Sequence, residues 1–93
     1  MPEEKIITKF CKSNALYERA KQTIPLASQT FSKSANSFVK GATPLFLERG
    51  NGAFVWDVDG NRYIDFILGL MPVVLGYCDK DVDNAIKDQL ERG

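Results

Sequence analysis

Two short cassettes of turn-forming residues, Gly50-Asn51-Gly52 and Asp59-Gly60-Asn61, stand one strand length apart and constrain this chain more than any other feature. Glycine and asparagine tolerate the positive φ of tight hairpin turns, and aspartate bonds its own backbone two residues on. Residues 53–58 between them carry the β-formers Phe54, Val55, Trp56 and Val58. With residues 45–49 before the first cassette and 62–66 after the second, the spacing predicts a three-stranded antiparallel meander. In the third strand the period of two puts Tyr63 and Asp65 on the face opposite Arg62, Ile64 and Phe66.

Helical signals flank the meander. Leu16, Ala20 and Ile24 recur every four residues, with Ser13 as the expected N-cap and Pro25 as the stop. At the other end Val82, Ala85, Ile86 and Leu90 line one face. Asp79 is the expected cap, Asp81 and Asp83 sit where the helix dipole favours negative charge, and Gly93 suits the C-terminal cap. Asp83 with Lys87 and Asp88 with Arg92 are acid-before-base pairs four apart. Residues 26–43 are rich in Ser, Thr and Asn, with Phe31, Phe38 and Val39 as single apolar anchors and no sustained period, which predicts disorder. Residues 67–77 are apolar but broken by Gly69, Pro72 and Gly76, which predicts an irregular buried crossing. The fold class expected is α+β: N-terminal helix, irregular loop, meander, C-terminal helix. Residues 1–93 then form a single, partial domain, with residues 1–12 flexible.

Charge and residue type exclude several functions. Twelve basic and twelve acidic side chains cancel, so the sequence provides neither for phosphate tracking nor for anionic lipid, and no nucleic-acid or membrane partner is expected. The N-terminus carries acids where a signal peptide needs positive charge, and no apolar run can span a bilayer, so a soluble, cytoplasmic protein is expected. Histidine is absent and the two cysteines, Cys11 and Cys78, are far apart, which leaves no metal-ligand set; both read as inert thiols. The Asp57-Val58-Asp59-Gly60-Asn61 run invites a calcium-loop reading. It fails because Arg62 stands where an EF-hand needs glycine and Leu68 where it needs glutamate. Gly50-Asn51-Gly52 joins strands and offers no helix N-terminus to a phosphate. The eight lysines sit mostly in polar runs, where none gains the depressed pKa of a Schiff-base lysine. Trp56 and Tyr63 read as packing residues. No catalytic, cofactor-binding or metal-binding residue is therefore expected in this segment.

The run from Pro44 to Phe66, with its Asp57-x-Asp59-Gly60-x-x-Tyr63-Ile64-Asp65 spacing, resembles the early meander of class-III aminotransferases, which depend on pyridoxal phosphate (PLP). Within them it looks most like glutamate-1-semialdehyde aminomutases and their relatives. Leu16-Tyr17-Glu18-Arg19-Ala20 with Ile24-Pro25, and Leu75-Gly76 followed by Val82, Ala85-Ile86 and Leu90-Glu91-Arg92-Gly93, extend the likeness over residues 13–93. The resemblance implies the small-domain N-terminal part of a fold-type I PLP enzyme, a homodimer in full length, whose Schiff-base lysine, pyridinium-pairing aspartate and phosphate loop lie elsewhere. It implies that PLP is the cofactor of the full-length family, not held covalently by this segment, and that the partner is the remainder of an aminotransferase chain. It places Ser32, with Lys33 beside it, where aminomutases carry a carboxylate-holding arginine, and Leu70 where they carry an aromatic residue. Gly76-Tyr77-Cys78-Asp79-Lys80 replaces their Gly-His-x-His-Pro. On that basis Ser32, Lys33, Gly69 and Leu70 are the substrate-lining residues expected. An amino-sugar aminotransferase parent, a stand-alone interaction module and an inactive truncated frame are the other readings.

Overall fold

The computed structural model describes residues 10–39 and 41–93. It contains helix α1 (Cys11–Thr23), three short 3-10 turns, strands β1 (Leu47–Asn51), β2 (Phe54–Asp57) and β3 (Arg62–Ile64), and helix α2 (Lys80–Arg92). The strands form one antiparallel sheet in the order β1-β2-β3. This is the α+β arrangement the turn cassettes and helical stripes predict.

The strand ends differ from the sequence reading. β1 runs on through Asn51, which pairs with Phe54, so the first hairpin closes over Gly52 and Ala53 rather than over the whole glycine cassette. Gly52 takes φ +56°, and it also exchanges two 2.9 Å backbone hydrogen bonds with Tyr77. The returning chain thus extends the sheet by one bridge. The register slips between Leu47 and Arg49, a bulge in β1. Across the sheet Gly50 pairs with Val55, and Val55 with Tyr63, on an inner face. Arg49, Trp56 and Arg62 form one row on the outer face, and Asn51, Phe54 and Ile64 the next. The alternation expected for Tyr63 against Arg62 and Ile64 is what the register gives.

α1 begins two residues before Ser13, so the expected serine cap is not made. The Asp59 carboxylate does that work from the meander, accepting the amides of Lys12 (2.8 Å) and Ser13 (3.0 Å). Ser13 is instead buried, with its hydroxyl unpartnered among the described residues. The helix stops at Ile24, whose extended backbone precedes Pro25, as the proline requires. Of the segment expected to be flexible, residues 1–9 lie outside the described residues, and Phe10 is buried at the start of α1.

Residues 26–43 are not disordered where described. Pro25–Ala27, Phe31–Lys33 and Ala35–Ser37 each make a 3-10 turn, and the Ser37 hydroxyl donates to the Phe31 carbonyl at 3.3 Å. The expected anchors point outward: Phe31, Phe38 and Val39 are exposed, while the small residues Ala27, Ser34 and Ala35 are buried. Close backbone approach, not large apolar side chains, seats this loop.

The apolar crossing is irregular, as predicted, but it is not buried. Phe66 is 87% exposed, and Ile67, Leu70, Met71, Val74 and Leu75 are all more than half exposed. Leu68, Gly69, Leu70 and Met71 take φ of 55°, 61°, 67° and 86°, a run of left-handed backbone in which three residues carry a side chain. α2 then follows the sequence reading. Asp79 caps it through the amides of Asp81 and Val82 (both 3.1 Å), and the Gly93 amide returns to Gln89. The expected Asp83–Lys87 and Asp88–Arg92 ion pairs do not form. Lys87, Asp88 and Arg92 are exposed and Asp83 is half-buried, and a surface pair offers too little to hold two such side chains together. The radius of gyration is 15.7 Å, where a compact domain of this length has about 12 Å. Among the described residues much apolar surface is exposed.

Candidate functional site

The polar centre of the chain is the β2–β3 turn. Asp57, at the end of β2, has no solvent exposure, and four donors converge on it: the amides of Asp59 (3.0 Å) and Asn61 (2.8 Å), the Asn61 side-chain amide (2.9 Å) and the Tyr63 hydroxyl (2.9 Å). A carboxylate has about four acceptor sites, so this one is saturated. Burial pushes its pKa up, but the hydrogen bonds from Asn61, Tyr63 and Asp59 outweigh it and hold the group below the ordinary aspartate value. Burial and the Asp57 carboxylate together push the Tyr63 phenol up to about 12. The turn thereby fixes Asp59, which caps α1.

A second carboxylate–phenol pair fixes the far end of the crossing. The Tyr77 hydroxyl donates to Asp65 at 2.6 Å, and Asp65 also accepts the amides of Ile67 (2.9 Å) and Leu68 (3.2 Å). That bond to Asp65, with burial, raises the Tyr77 phenol to about 12. Burial raises the Asp65 carboxyl, but the donors from Tyr77, Leu68 and Ile67 bring it below its ordinary value. The Tyr77 ring occupies the space a side chain at position 50 would need: a Cβ on Gly50 would lie 2.5 Å from the ring. Cys78, beside it, is exposed and points its thiol at the Gly50 carbonyl at 3.3 Å.

Sequence reasoning treated Asp57 and Asp59 as turn residues only and Tyr77 as a departure from a pattern. The Asp-x-Asp-Gly-Asn spacing was the available signal for Asp57, since an aspartate that starts a turn bonds the amides ahead of it. Nothing local marks Asp59 as a cap for a helix 46 residues away.

The expected substrate-lining residues fall in two separate places. Ser32 and Lys33 lie in the Phe31–Lys33 turn, where the Ser32 hydroxyl faces Thr30 Oγ1 at 3.4 Å and Lys33 is half-buried. Gly69 and Leu70 lie in the left-handed run, with Leu70 59% exposed. Among the described residues no hydrogen bond joins the two pairs. One surface groove, of about 310 Å³, lies instead between the end of α1 and Phe46, lined by Leu16, Arg19, Ala20 and Ile24. A second groove of about 280 Å³ includes Tyr17, Glu18 and Lys21.

A PLP site needs a desolvated lysine and a cradle for the phosphate. Among the described residues Lys12, Lys21, Lys80 and Lys87 are exposed and Lys33 is half-buried. Lys21, the lysine that lines a groove, is held by Glu18 at 2.9 Å and lies 5.1 Å from the centre of the Tyr17 ring. Its bond to Glu18 raises its pKa against the effect of burial, the reverse of what a Schiff-base lysine requires. The N-terminus of α2 is closed by Asp79 and flanked by Asp81 and Asp83, which disfavours a phosphate there. The described residues do not fit the cofactor.

Comparison with known proteins places this arrangement. Residues 37–93 match the family model described as aminotransferase class-III. A glutamate-1-semialdehyde 2,1-aminomutase of Chloroflexus aggregans is 43% identical over 82 residues, 83% of this chain and 19% of the relative. A 3-aminobutyryl-CoA aminotransferase of Cloacimonas acidaminovorans is 39% identical over 83 residues, 89% of this chain and 20% of the relative. The solved structure of the PLP internal aldimine form of the FumI protein from Sphingopyxis sp. MTA144 superposes with a TM-score of 0.74 at 31% identity, over 87% of this chain and 19% of that one. The chain thus spans about a fifth of the length of the relatives it matches. Its helices and meander are those of one segment of a fold-type I PLP enzyme, and the chain belongs to the class-III aminotransferase family, whose cofactor is pyridoxal phosphate.

Proposed function

We propose that residues 1–93 are a partial domain of a cytoplasmic class-III aminotransferase or aminomutase, homodimeric in full length, and that this segment is scaffold without catalytic competence of its own. One observation carries the reading: the apolar crossing from Phe66 to Leu75 is exposed, while the Asp57 and Asp65 carboxylates of the turns beside it are hydrogen-bonded. A solvated apolar strip of this kind marks a surface that another part of a protein covers. The rest of an aminotransferase chain is the covering partner we infer. In that setting Ser32, Lys33, Gly69 and Leu70 line the substrate side. The names of the relatives leave the parent either a mutase or a transferase. Leu70 and Ser32, where aminomutases carry an aromatic residue and an arginine, favour as second reading a transferase acting on an amino sugar.

Competence is tested by adding PLP to the purified chain and recording its visible absorbance, followed by borohydride reduction and mass analysis. The expected result is no stoichiometric internal-aldimine band and no reduced PLP adduct on a single lysine. A one-to-one adduct at one lysine would overturn the scaffold reading, since it would show a competent, desolvated amine in this segment.

A further inference from the structure

The tip of the first hairpin is held from both sides by the residues that bound the crossing. The Gly52 amide donates to the Tyr77 carbonyl and the Tyr77 amide to the Gly52 carbonyl, both at 2.9 Å. The Asp65 amide donates to the Ala53 carbonyl, also at 2.9 Å. Asp65 and Tyr77 are themselves joined, phenol to carboxylate, at 2.6 Å. Gly52, Ala53, Asp65 and Tyr77 thus close a ring of hydrogen bonds around the turn. Gly76 leaves it no slack, since a Cβ there would lie 3.0 Å from the Gly52 carbonyl oxygen.

The residue this clamp borders is Asn51. Among Asn14, Asn36, Asn51, Asn61 and Asn84 it is the one followed by glycine. With no side chain on Gly52 to crowd the approach, the Gly52 nitrogen can reach the Asn51 side-chain carbonyl carbon. The reaction this permits needs only water. The Gly52 nitrogen gives its proton to solvent and bonds to Asn51 Cγ, the Cγ–Nδ2 bond breaks, and ammonia leaves a cyclic succinimide behind. Water then adds to one imide carbonyl and opens the ring to aspartate or isoaspartate. The balance is amide plus water to carboxylic acid plus ammonia, with no change of oxidation state. Asn51 is exposed, so water has access. The nucleophile is what the fold withholds: the Gly52 N–H is donated to Tyr77, and Asn51 is held in register with Phe54. Asp59-Gly60, the related aspartate pair, is held twice over, its carboxylate by the α1 amides and the Gly60 amide by the Asp57 carbonyl at 3.0 Å.

We propose that Asn51-Gly52 is a self-modification site, an asparagine that ages through a succinimide, and that the Asp65–Tyr77 clamp is its gate. The site reacts from the opened turn, so its rate is the intrinsic one multiplied by the fraction of time the Gly52 amide is free. The product carries a new carboxylate. As isoaspartate it also carries an extra methylene in the backbone of β1, which breaks the register with Phe54 and the bridge to Tyr77. The inference goes beyond the scaffold role and holds whatever reaction the parent enzyme performs.

The test ages the 93-residue chain at neutral pH, folded and in urea. Each asparagine is followed by peptide mass, and isoaspartate-specific methylation identifies the product. In urea Asn51 should react first among the asparagines, and in the folded chain at least about tenfold more slowly, because its backbone bonds must open first. Hydrogen exchange at the Gly52 amide of the unaltered chain should be slowed by the same factor. Tyr77→Phe and Asp65→Asn each remove or weaken the phenol–carboxylate bond, and each should speed the folded-chain reaction at Asn51 about tenfold. The circular dichroism, the rate in urea and the rates at Asn14 and Asn84 should stay unchanged. Should both variants unfold, Gly52 exchange in the unaltered chain still decides. Equal Asn51 rates in the folded chain and in urea, an unprotected Gly52 amide, or folded variants that age no faster at Asn51 would each overturn the proposal.

Discussion

Asp57 shows how far one residue's surroundings can be specified by a five-residue turn. Its carboxylate has lost all contact with water and regained it as four hydrogen bonds, two of them from backbone that the turn itself curls back. Asp57→Asn replaces an acceptor oxygen with an NH2 that faces donors. It should lower the stability of the meander by about 2 kcal/mol, read as an earlier urea transition in Trp56 emission. The tyrosines give the pH dependence its sign. Tyr63 and Tyr77 have folded-state values raised from 10.0 to about 12, so their contribution is fully present below pH 10.0 and is lost as pH rises toward 12. Asp57 and Asp65 are lowered from 3.8, so their contribution is present above pH 3.8 and is lost on acidification below it. Unfolding followed across pH should therefore show a plateau with an alkaline and an acid limb, and Tyr63→Phe with Tyr77→Phe should remove the alkaline one. The left-handed run makes the opposite kind of prediction. A side chain in that region costs about 1–2 kcal/mol, so Leu68→Gly or Met71→Gly, at φ 55° and 86°, should leave stability unchanged or raise it by up to about 1 kcal/mol. A loss above 1 kcal/mol in either variant would show that the packing of the side chain, half-buried at Leu68 and exposed at Met71, outweighs the backbone strain.

Among the elements, α1 depends on a residue that no window around it contains. Asp59→Ala removes the acceptor for the Lys12 and Ser13 amides and should cost about 1 kcal/mol, seen as lost helical circular dichroism and faster amide exchange in α1, while α2 keeps its protection. Equal loss in both helices would mean that Asp59 supports the whole fold instead. This long-range cap also explains where the sequence reading succeeded and failed. Strand order, the period-two faces, the Pro25 stop and the Asp79 cap follow from spacing over a few residues, and each is found. The start of α1 was misplaced at Ser13 because the real cap arrives through the tertiary fold. The first hairpin turns over Gly52 and Ala53 instead of the whole glycine cassette, and Gly52 also bonds Tyr77, a partner 25 residues away that no local spacing reveals. The 26–43 loop was read as disordered because its anchors are Ala27, Ser34 and Ala35, and small buried residues leave no hydrophobic period to detect. The turn composition announced the Asp57 centre without revealing that it joins helix to sheet.

At the scale of the whole molecule the exposed crossing is the feature on which the proposed partial-domain role rests. The radius of gyration exceeds the compact expectation of about 12 Å, and the strip from Phe66 to Leu75 and the stripe on α2 are both exposed. The chain should therefore bind the dye ANS, as solvated apolar clusters do. Phe66 gives the sharpest test, because at 87% exposure its ring contributes little to the folded chain. Phe66→Ser should change stability by no more than about 0.5 kcal/mol, as ordinary surface substitutions do, while lowering ANS emission measurably. In a full-length relative the proposed role has the same ring covered, and the same substitution should cost about 3 kcal/mol or more. Measuring Phe66→Ser in this chain and at the matching position of a full-length relative reads the covering partner directly. A large cost in the 93-residue chain alone would mean the crossing already has its partner, and the scaffold reading would fall.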